Sequence, residues 1–371
     1  MLVSLSKKAE VDKIYCLLRA KSEEDAYTRL EQVFSLHNDP FDRTRIIPVT
    51  GNLFDDSLTQ NLKANEALNS VDVIIHSAAN TSFSRVNDEL VEKANIGGLT
   101  KILLWAKALP QLKTFLYIGT ATICGKDIKD RLVKEEESPN INATHLVKYT
   151  YTKMQGELLL HEHLPEEKIL VARPSIIMGD SRPIVPRSPV ILWAMATINH
   201  LRLIPVNEYA QLDIIPVDYA AKAITGLLFA NRKHHVYHIS AGGAGATTAF
   251  KLSQTLSEYF SDMPPFRFIK KEMLGQVKHW TRNRLQPESE LYVYQDYLDY
   301  WKHVFEDQGK LRLLFTGLDP YLEFMELGHV FDNTRLLEDV AIEQSEPADV
   351  YIANSMNYVE KLDVLEGAID P

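Results

Sequence analysis

The chain of 371 residues lacks features that mark several special classes of protein. It has two cysteines, Cys16 and Cys124, which lie in apolar, strand-like surroundings without the spacing of metal ligands. They predict buried thiols in a reducing compartment, and no metal site is expected. No run of lysine or arginine exceeds two residues, and the formal charge is -10. Nucleic acid is therefore not expected as a partner.

Long apolar runs are also missing. The longest largely apolar stretch, residues 190–198, is far shorter than the roughly twenty residues that a membrane helix needs. In the first eight residues the charges follow a very short apolar piece, which is the wrong order and length for a secretory signal. The sequence predicts a cytoplasmic protein without a transmembrane span, and its 45% hydrophobic content suits a sizeable core.

What the sequence does contain is an alternation of strand and helix patterns. Short apolar runs predict buried strands, and stretches of ten or more residues with helical spacing separate them. This order favours an α/β fold with a doubly wound parallel sheet. The predicted strands are residues 13–19, 46–49, 71–76, 115–118, 169–174 and 235–239, and the predicted helices are 1–9, 22–36, 58–68, 89–109, one from Tyr149, and 217–230.

Small residues follow several of the predicted strands. In doubly wound sheets ligands bind beyond the carboxyl ends of the strands, and short side chains there let a ligand approach the backbone. Simple turns explain any one of these residues, but they explain the whole set poorly. The set comprises Gly51, Ser77, Ala78, Ala79, Gly119 and Thr120.

Tyr149 and Lys153 are spaced to share one face of a helix. A nearby ammonium favours the phenolate, so this pair suits proton transfer, and the Thr120 hydroxyl would hold a substrate oxygen beside it. Tyr151 is the rival phenol, but Gln155 occupies its i+4 position and supplies no charge. Taken alone, a tyrosine and a lysine at this spacing also occur by chance on helix surfaces.

The final third of the chain is helical and rich in aromatic residues. We interpret these aromatics as the core of a smaller helical domain, with a binding site as the alternative. They are Trp280, Tyr292, Tyr294, Tyr297, Tyr300 and Trp301.

Seven motifs in order give the chain a family resemblance. The sequence resembles the extended short-chain dehydrogenase/reductases, and within them the thioester-reductase and fatty acyl-CoA reductase branch. The resemblance covers about residues 13–217 and is weaker at 331–335. The motifs are IYCLLRA (14–20), GNL (51–53), HSAANTSF (76–83), NIGG (95–98), GTATICG (119–125), YTYTK (149–153) and ARPSIIMG (172–179).

The resemblance implies a Rossmann-like NAD(P)-binding domain over residues 1–243, with a substrate-domain insertion at about 180–212, and a mainly helical substrate domain over 244–371. It implies Tyr149 as the catalytic acid/base and Lys153 as the group that binds the nicotinamide ribose and lowers the pKa of Tyr149. Thr120 would orient the substrate carbonyl. Asn95 would help to hold a proton-relay water, or would merely bridge backbone groups.

The resemblance also implies a cofactor site. Arg19 lies where this branch binds the 2′-phosphate of NADP, and a guanidinium fits a phosphate, so NADPH is expected rather than NADH. A solvated strand end is the alternative for Arg19. At Asn52 the family commonly has an aspartate near the adenine, and an amide can still form a hydrogen bond there. The implied cofactor-binding residues are Arg19, Asn52, Leu53, Ala78, Ala79, Asn80, Tyr149, Lys153, Pro174, Ser175 and Ile176.

One departure from the family concerns the phosphate-binding turn. Family members have a first strand and a GxxGxxG turn before the IYCLLRA strand, and this sequence begins after them. We therefore expect a truncated chain that binds a dinucleotide weakly. Its one glycine-rich segment, residues 241–246, is predicted to form a loop after the last strand of the sheet.

Three functions are compatible with these features. The first is NADPH-dependent reduction of an acyl thioester, on CoA or a carrier protein, to the aldehyde or on to the alcohol. The second is reduction or epimerisation of a free small molecule, and the third is a non-catalytic, truncated homologue. An acidic carrier protein would need a basic surface, for which Arg182, Arg187 and Arg202 are the candidates.

Overall fold

The structure is a computed structural model and describes residues 1–129, 131–186, 191–273, 275–276, 287–305 and 308–365. The strands are β1 Ile14–Leu18, β2 Ile46–Thr50, β3 Val73–His76, β4 Thr114–Ile118, β5 Leu132–Val133, β6 Ile169–Pro174, β7 Ile176–Ile177, β8 Leu203–Ile204, β9 Gln211–Leu212, β10 Ile214–Ile215, β11 Val236–Ile239, β12 Thr247–Thr248, β13 Arg267–Phe268 and β14 Val330–Phe331.

Helices surround these strands. The α-helices are α1 Leu2–Ser6, α2 Glu23–Ser35, α3 Leu58–Ala64, α4 Asp88–Glu92, α5 Leu99–Ala106, α6 Lys148–His163, α7 Leu192–Leu201, α8 Val217–Phe229, α9 Gly242–Gly245, α10 Ala249–Tyr259, α11 Gln295–Phe305, α12 Gln308–Met325, α13 Thr334–Asp339, α14 Ala348–Tyr351 and α15 Met356–Val359. Short 3-10 helices are Glu66–Ser70, Arg85–Asn87, Ala121–Cys124, Glu166–Lys168, Lys271–Met273, Glu290–Tyr294 and Ile352–Ser355, and a π-helix is Lys93–Gly98.

A four-stranded parallel sheet forms the centre of the molecule. Its order is β11-β6-β4-β3, and every adjacent pair is parallel. Phe115 of β4 pairs with Ile74 on one side and Ile169 on the other, and its side chain is fully buried. Parallel strands covered on both faces are apolar almost throughout, which is why these runs stand out in the sequence. The predicted α/β fold is confirmed.

Strands β1 and β2 form a separate parallel pair. They pack with α2 around a small core of Leu30, Phe34 and Ile46. Ser22 caps the N-terminus of α2, since its hydroxyl accepts a hydrogen bond from the Asp25 N–H at 3.1 Å. This unit carries the strand ends at which Arg19 and Asn52 lie.

The long helix predicted over residues 89–109 is interrupted. α4 passes into the π-helix Lys93–Gly98 before α5 begins. A π-turn inserts an extra residue into the helix and often occurs at functional sites. Here it carries Asn95, whose contacts are described below.

The apolar residues of the C-terminal part form the largest core in the described chain, together with α7 and β8–β10. Trp301 and Tyr297 are buried in it, and Tyr294 and Tyr300 pack against it, as predicted. Tyr292 is 45% exposed, which differs from the prediction, and Trp280 lies outside the described residues. The proposed division at residue 243 stays a prediction.

Two buried carboxylates attach the C-terminal segment to the central sheet. Asp213 accepts hydrogen bonds from the Ala241 and Phe331 N–H groups at 2.8 and 3.0 Å. Glu135 accepts from the N–H groups of His238 and Arg335 at 2.9 and 2.8 Å. Burial raises the pKa of Asp213 to about 6 and that of Glu135 to about 7. The weakly similar stretch at 331–335 is thus bonded to the edge of the sheet.

The two cysteines are half-buried rather than fully buried. Burial raises the pKa of Cys16 to about 11 and that of Cys124 to about 12, so both are weak nucleophiles at neutral pH. Among the described residues, no cluster of three or more potential metal ligands occurs. Within the same residues, no helix has the length and apolar character to span a membrane.

Candidate active site

The predicted site residues lie at one edge of the molecule because the strands that carry them are parallel. Ala78 and Asn80 follow β3, Thr120 follows β4, and Pro174 ends β6. Carboxyl ends of parallel strands meet at the same edge, where doubly wound proteins bind ligands. The short residues Ala78 and Ala79 lie in an open loop, and Ala78 is exposed.

Lys153 is a buried cation beside this edge, on α6. Its Nζ donates a hydrogen bond to the Ile118 carbonyl at 2.7 Å and lies 4.9 Å from the centre of the Tyr117 ring. Burial lowers its pKa to about 8, and neighbouring Glu157 acts in the opposite direction. An ammonium has three N–H donors, so the bond to Ile118 leaves two for a ligand.

Tyr149 and Thr120 line the same cavity. Tyr149 stands in the first turn of α6. Thr120 caps the 3-10 helix Ala121–Cys124, and its hydroxyl lies 2.9 Å from that of Thr122. The rival Tyr151 is absent from the lining, and its hydroxyl accepts a hydrogen bond from Gln155 at 3.1 Å. The structure therefore brings Tyr149 and Thr120 into one cavity, as expected from the sequence for a phenol and a hydroxyl that act together.

The expected effect of Lys153 on the pKa of Tyr149 is wrong. Burial raises the pKa of Tyr149 to about 12. The phenol meets a largely apolar cavity, whereas the Nζ of Lys153 is hydrogen-bonded to the Ile118 carbonyl. A phenol with this pKa stays protonated at neutral pH, which is the form that donates a proton.

The cavity has a volume of about 300 Å³ and is mainly apolar. Thr81, Phe83, Thr120, Thr122, Tyr149 and Thr150 form its end near the sheet edge. Beyond them, aliphatic side chains from β7, α7, β8, β9, β10, α10 and α12 enclose it, among them Ile176, Met195, Ile198, Ile204, Leu212, Ile214, Leu252, Leu256 and Met325. Such a space suits a hydrocarbon chain attached to a polar group that reaches Tyr149.

An aromatic group at this end of the cavity is not predicted by the sequence. The Phe83 ring lies 6.2 Å from that of Tyr149, 4.8 Å from Tyr321 and 5.0 Å from Phe324. Phe83 belongs to the HSAANTSF motif, but nothing in the sequence indicates that α12 packs on it. These contacts attach α12 to the end of the cavity that Tyr149 lines.

Asn95 bridges two segments of the chain. Its Oδ1 accepts from the Asn80 N–H at 2.7 Å, and its Nδ2 donates to the Asn80 carbonyl at 3.0 Å and to the Thr152 hydroxyl at 2.9 Å. Thr152 in turn donates to the Tyr149 carbonyl at 2.9 Å. These bonds match the bridging alternative and fix the loop after β3 to the first turn of α6, while the water-holding role stays a prediction.

Arg19, Asn52 and Leu53 lie on the β1–β2 unit. In the part of the chain that the structure describes, the exposed Arg19 side chain makes no hydrogen bond or ion pair, so its guanidinium is available to an anion. Asn52 accepts a hydrogen bond from the Phe54 N–H at 3.1 Å, and Leu53 packs against Gly98. The available guanidinium, the short loop residues and the Lys153 ammonium fit a nicotinamide dinucleotide.

A buried ion pair lies behind Lys153. Arg173 of β6 and Glu157 of α6 have side chains that are 3% and 2% exposed, and their Nη2 and Oε2 atoms are 2.7 Å apart. The Glu157 carboxylate occupies the space beside Gly119, where a Cβ atom would lie 2.9 Å from Oε1. A side chain at Gly119 would therefore displace the Glu157 carboxylate, which is bonded to Arg173. Ser175 is buried, and Ile176 lines the cavity.

Two predictions about other segments are wrong. The glycine-rich segment is the helical turn α9 rather than a loop, and a Cβ at Gly242 would lie 2.5 Å from Asn333 Oδ1. The basic surface is also not formed as predicted. Arg202 is fully buried, and Arg182 forms a two-bond ion pair with Asp180. Arg187 lies outside the described residues.

Comparisons with known proteins agree with this geometry. Residues 2–224 match the NAD-binding family described as male sterility protein. Fatty acyl-CoA reductase 2, chloroplastic, of Arabidopsis thaliana is 25% identical over 69% of this chain and 54% of its own length. A linear gramicidin synthase of Brevibacillus parabrevis is 30% identical over 58% of this chain and 4% of its own length. The chain thus spans about half the length of the curated fatty acyl-CoA reductases it matches.

Solved structures with the same fold include reductases and epimerases. The terminal R domain from the myxalamid PKS-NRPS biosynthetic pathway is 19% identical, with a TM-score of 0.67 over 96% of this chain and 86% of its own. UDP-glucuronic acid 4-epimerase from Bacillus cereus, in complex with NAD, is 14% identical, with a TM-score of 0.61 over 96% and 93%. At these identities the likeness concerns the fold alone. Because the family match covers more than half of its length, the chain belongs to the NAD-binding family of male sterility proteins.

Proposed function

We propose that this protein is an NADPH-dependent reductase that converts an acyl thioester to an aldehyde. The observation that carries this proposal is the apolar cavity that ends at Thr120 and Tyr149. An acyl chain in the cavity would place its carbonyl group at these two hydroxyls. The matches to fatty acyl-CoA reductases support the same substrate class.

Each polar residue has a defined part in this reaction. A bound nicotinamide dinucleotide would supply the hydride to the carbonyl carbon. Tyr149, protonated at neutral pH, would donate its proton to the carbonyl oxygen as that oxygen gains the electron pair, and Thr120 would donate a hydrogen bond to the same oxygen. The thiohemiacetal so formed would release the aldehyde as its C–S bond breaks and the sulfur takes up a proton. Lys153 would hold the ribose through its remaining N–H groups.

The cavity favours this proposal over reduction or epimerisation of a polar metabolite. A sugar would leave its hydroxyl groups against aliphatic side chains such as Ile198, Ile204 and Leu212, and buried polar groups without partners are costly. The non-catalytic alternative is less favoured, because Thr120 and Tyr149 line one cavity and Lys153 lies on the same helix as Tyr149. The thiol carrier in our proposal is CoA or a carrier protein.

A direct assay tests the proposed function. The purified protein is mixed with NADPH and hexadecanoyl-CoA, the absorbance of NADPH is followed, and the products are identified by mass spectrometry. We expect NADPH oxidation with formation of hexadecanal or hexadecanol and free CoA. The same acyl group on a carrier protein serves as the second substrate. NADPH oxidation with a UDP-sugar but with neither thioester would contradict the proposal.

Arg19 is proposed to select NADPH over NADH. The substitution Arg19→Ala removes the guanidinium that we propose binds the 2′-phosphate, and a charge-assisted hydrogen bond contributes about 1.5–3 kcal/mol. We therefore expect the KM for NADPH to rise about tenfold or more while that for NADH changes little. Steady-state kinetics with both cofactors measures the two values.

The neighbouring exposed Lys21 provides a matched control, because Lys21→Ala removes the same charge two residues away. This control variant should retain the parent preference for NADPH. Equal changes of KM for both cofactors in Arg19→Ala would instead assign Arg19 to the solvated end of β1.

A further inference from the structure

Helix α10 separates two hollow regions of the molecule. One is the apolar cavity described above, and the other is a surface groove of about 560 Å³. Phe250, Phe266 and Phe268 give the groove an aromatic lining, and Arg267 and Glu258 also line it. Phe250 is 39% exposed, so the groove is open to solvent.

The two regions meet at one side chain of α10. Residues 249, 252, 253 and 256 form the face toward the cavity, and residues 250, 253, 254 and 257 form the adjacent face toward the groove. Ser253 belongs to both sets. It is 5% exposed, and its hydroxyl donates to the Phe250 carbonyl at 2.7 Å, so its hydrogen bond is already made within the helix.

A second contact between the two regions lies opposite the helix. Ile204 of β8 lines the cavity, and its partner in the parallel pairing, Phe268 of β13, lines the groove. The wall between the cavity and the groove therefore includes Ser253 and the Ile204–Phe268 pair. At Ser253 it consists of a small side chain, whereas Leu252 and Leu256 form the neighbouring wall of the cavity.

The volume of the cavity limits what it can hold. About 300 Å³ is at the lower end of the range for sites that enclose a drug-sized ligand, roughly 300–1,000 Å³. A long acyl chain whose carbonyl is at Tyr149 would therefore need further space. Directly beyond Ser253 the groove offers the rings of Phe250, Phe266 and Phe268, and polar side chains form most of the rest of its lining, namely Glu208, Gln254, Ser257, Glu258 and Arg267.

We propose that Ser253 marks the passage through which a long acyl chain leaves the cavity and enters the groove. This inference rests on the proposed function and concerns where the distal part of the acyl chain is bound. The part of the acyl chain next to the carbonyl group lies in the aliphatic cavity. The distal part of the acyl chain lies on Phe250, Phe266 and Phe268. Ser253 thereby determines which chain lengths the protein accepts.

Photo-crosslinking of the whole protein tests this passage without relying on turnover. Hexadecanoyl-CoA and octanoyl-CoA, each with a diazirine at the end of the acyl chain, are irradiated with the protein, and labelled residues are identified by mass spectrometry. We expect the longer probe to label groove residues such as Phe250 and Gln254. The shorter probe should label cavity residues such as Leu252 and Ile204.

The two proposals fail in different ways in this experiment. Labelling of cavity residues by both probes, with none in the groove, would overturn the passage but leave the acyl cavity intact. Failure of both probes to label the cavity would overturn the proposed function, and the passage with it.

Substitution of Ser253 adds a test of size. In Ser253→Phe the ring should close the passage, so groove labelling by the hexadecanoyl probe should fall about tenfold or more. Labelling of the cavity by the octanoyl probe should persist and would confirm that the variant is folded. Ser253→Ala keeps the side chain small and should retain both patterns. Unchanged groove labelling in folded Ser253→Phe would overturn the proposal. If that variant fails to fold, the labelling of the wild-type protein by the two probes decides whether the passage exists.

Discussion

Replacing Tyr149 with phenylalanine is expected to lower kcat/KM for acyl-thioester reduction by about a hundredfold or more. The change removes the hydroxyl that our proposal uses as proton donor and keeps the ring that packs beside Phe83. Burial raises the pKa of Tyr149 to about 12, so the parent phenol is protonated across the neutral range. Steady-state NADPH oxidation with hexadecanoyl-CoA measures the loss.

Tyr151→Phe is the matched control for this prediction. It removes the same hydroxyl from the same helix, but Tyr151 lies outside the cavity lining and accepts its hydrogen bond from Gln155. We expect this variant to keep activity close to that of the parent. If Tyr149→Phe also kept near-parent activity, Tyr149 would not be the proton donor.

The second large effect concerns stability. Arg173→Met should lower the free energy of unfolding by about 3–5 kcal/mol, because it leaves Glu157 charged, buried and without its partner. Burial raises the pKa of Glu157, and Arg173 acts against that rise by attraction and hydrogen bonding. Urea denaturation followed by circular dichroism measures the change, with parent and variant compared at neutral pH.

An exposed ion pair provides the control for the buried one. Lys113 and Asp72 lie 3.0 Å apart with side chains 75% and 50% exposed, and such pairs contribute about 0–1 kcal/mol. Lys113→Ala should therefore have a small effect. The double variant Arg173→Met/Glu157→Leu should recover part of the loss, since neither charge remains buried. A loss below about 1 kcal/mol in Arg173→Met would contradict the argument.

The sequence predicts the strands, and the common helix of Tyr149 and Lys153, because both depend on local patterns. Buried parallel strands are continuous apolar runs, and Tyr149 and Lys153 are separated by one helical turn. Thr120 is found because it directly follows the apolar run of β4. These features need no knowledge of distant contacts.

Features that depend on distant segments could not be predicted in this way. The cavity joins Thr81 to Met325, and no spacing in the sequence relates Phe83 to Phe324. The raised pKa of Tyr149 could not be predicted either, because the helical spacing does not reveal that Lys153 bonds the Ile118 carbonyl. The π-helix likewise leaves no periodic signature that differs clearly from the long helix predicted there.

The separate pairing of β1 and β2 affects how the molecule opens. Within the described residues, no main-chain hydrogen bond joins this pair to β3, and side chains such as Tyr15 and Val49 pack it against the central core. A unit attached in this way can detach while the central strands stay folded, so its amide protons would exchange with solvent sooner than those of β4 and β6. If a dinucleotide spans from Arg19 to Lys153, as proposed, it would bind only the attached form. Slower amide exchange in β1 and β2 would then report dinucleotide occupancy even without turnover.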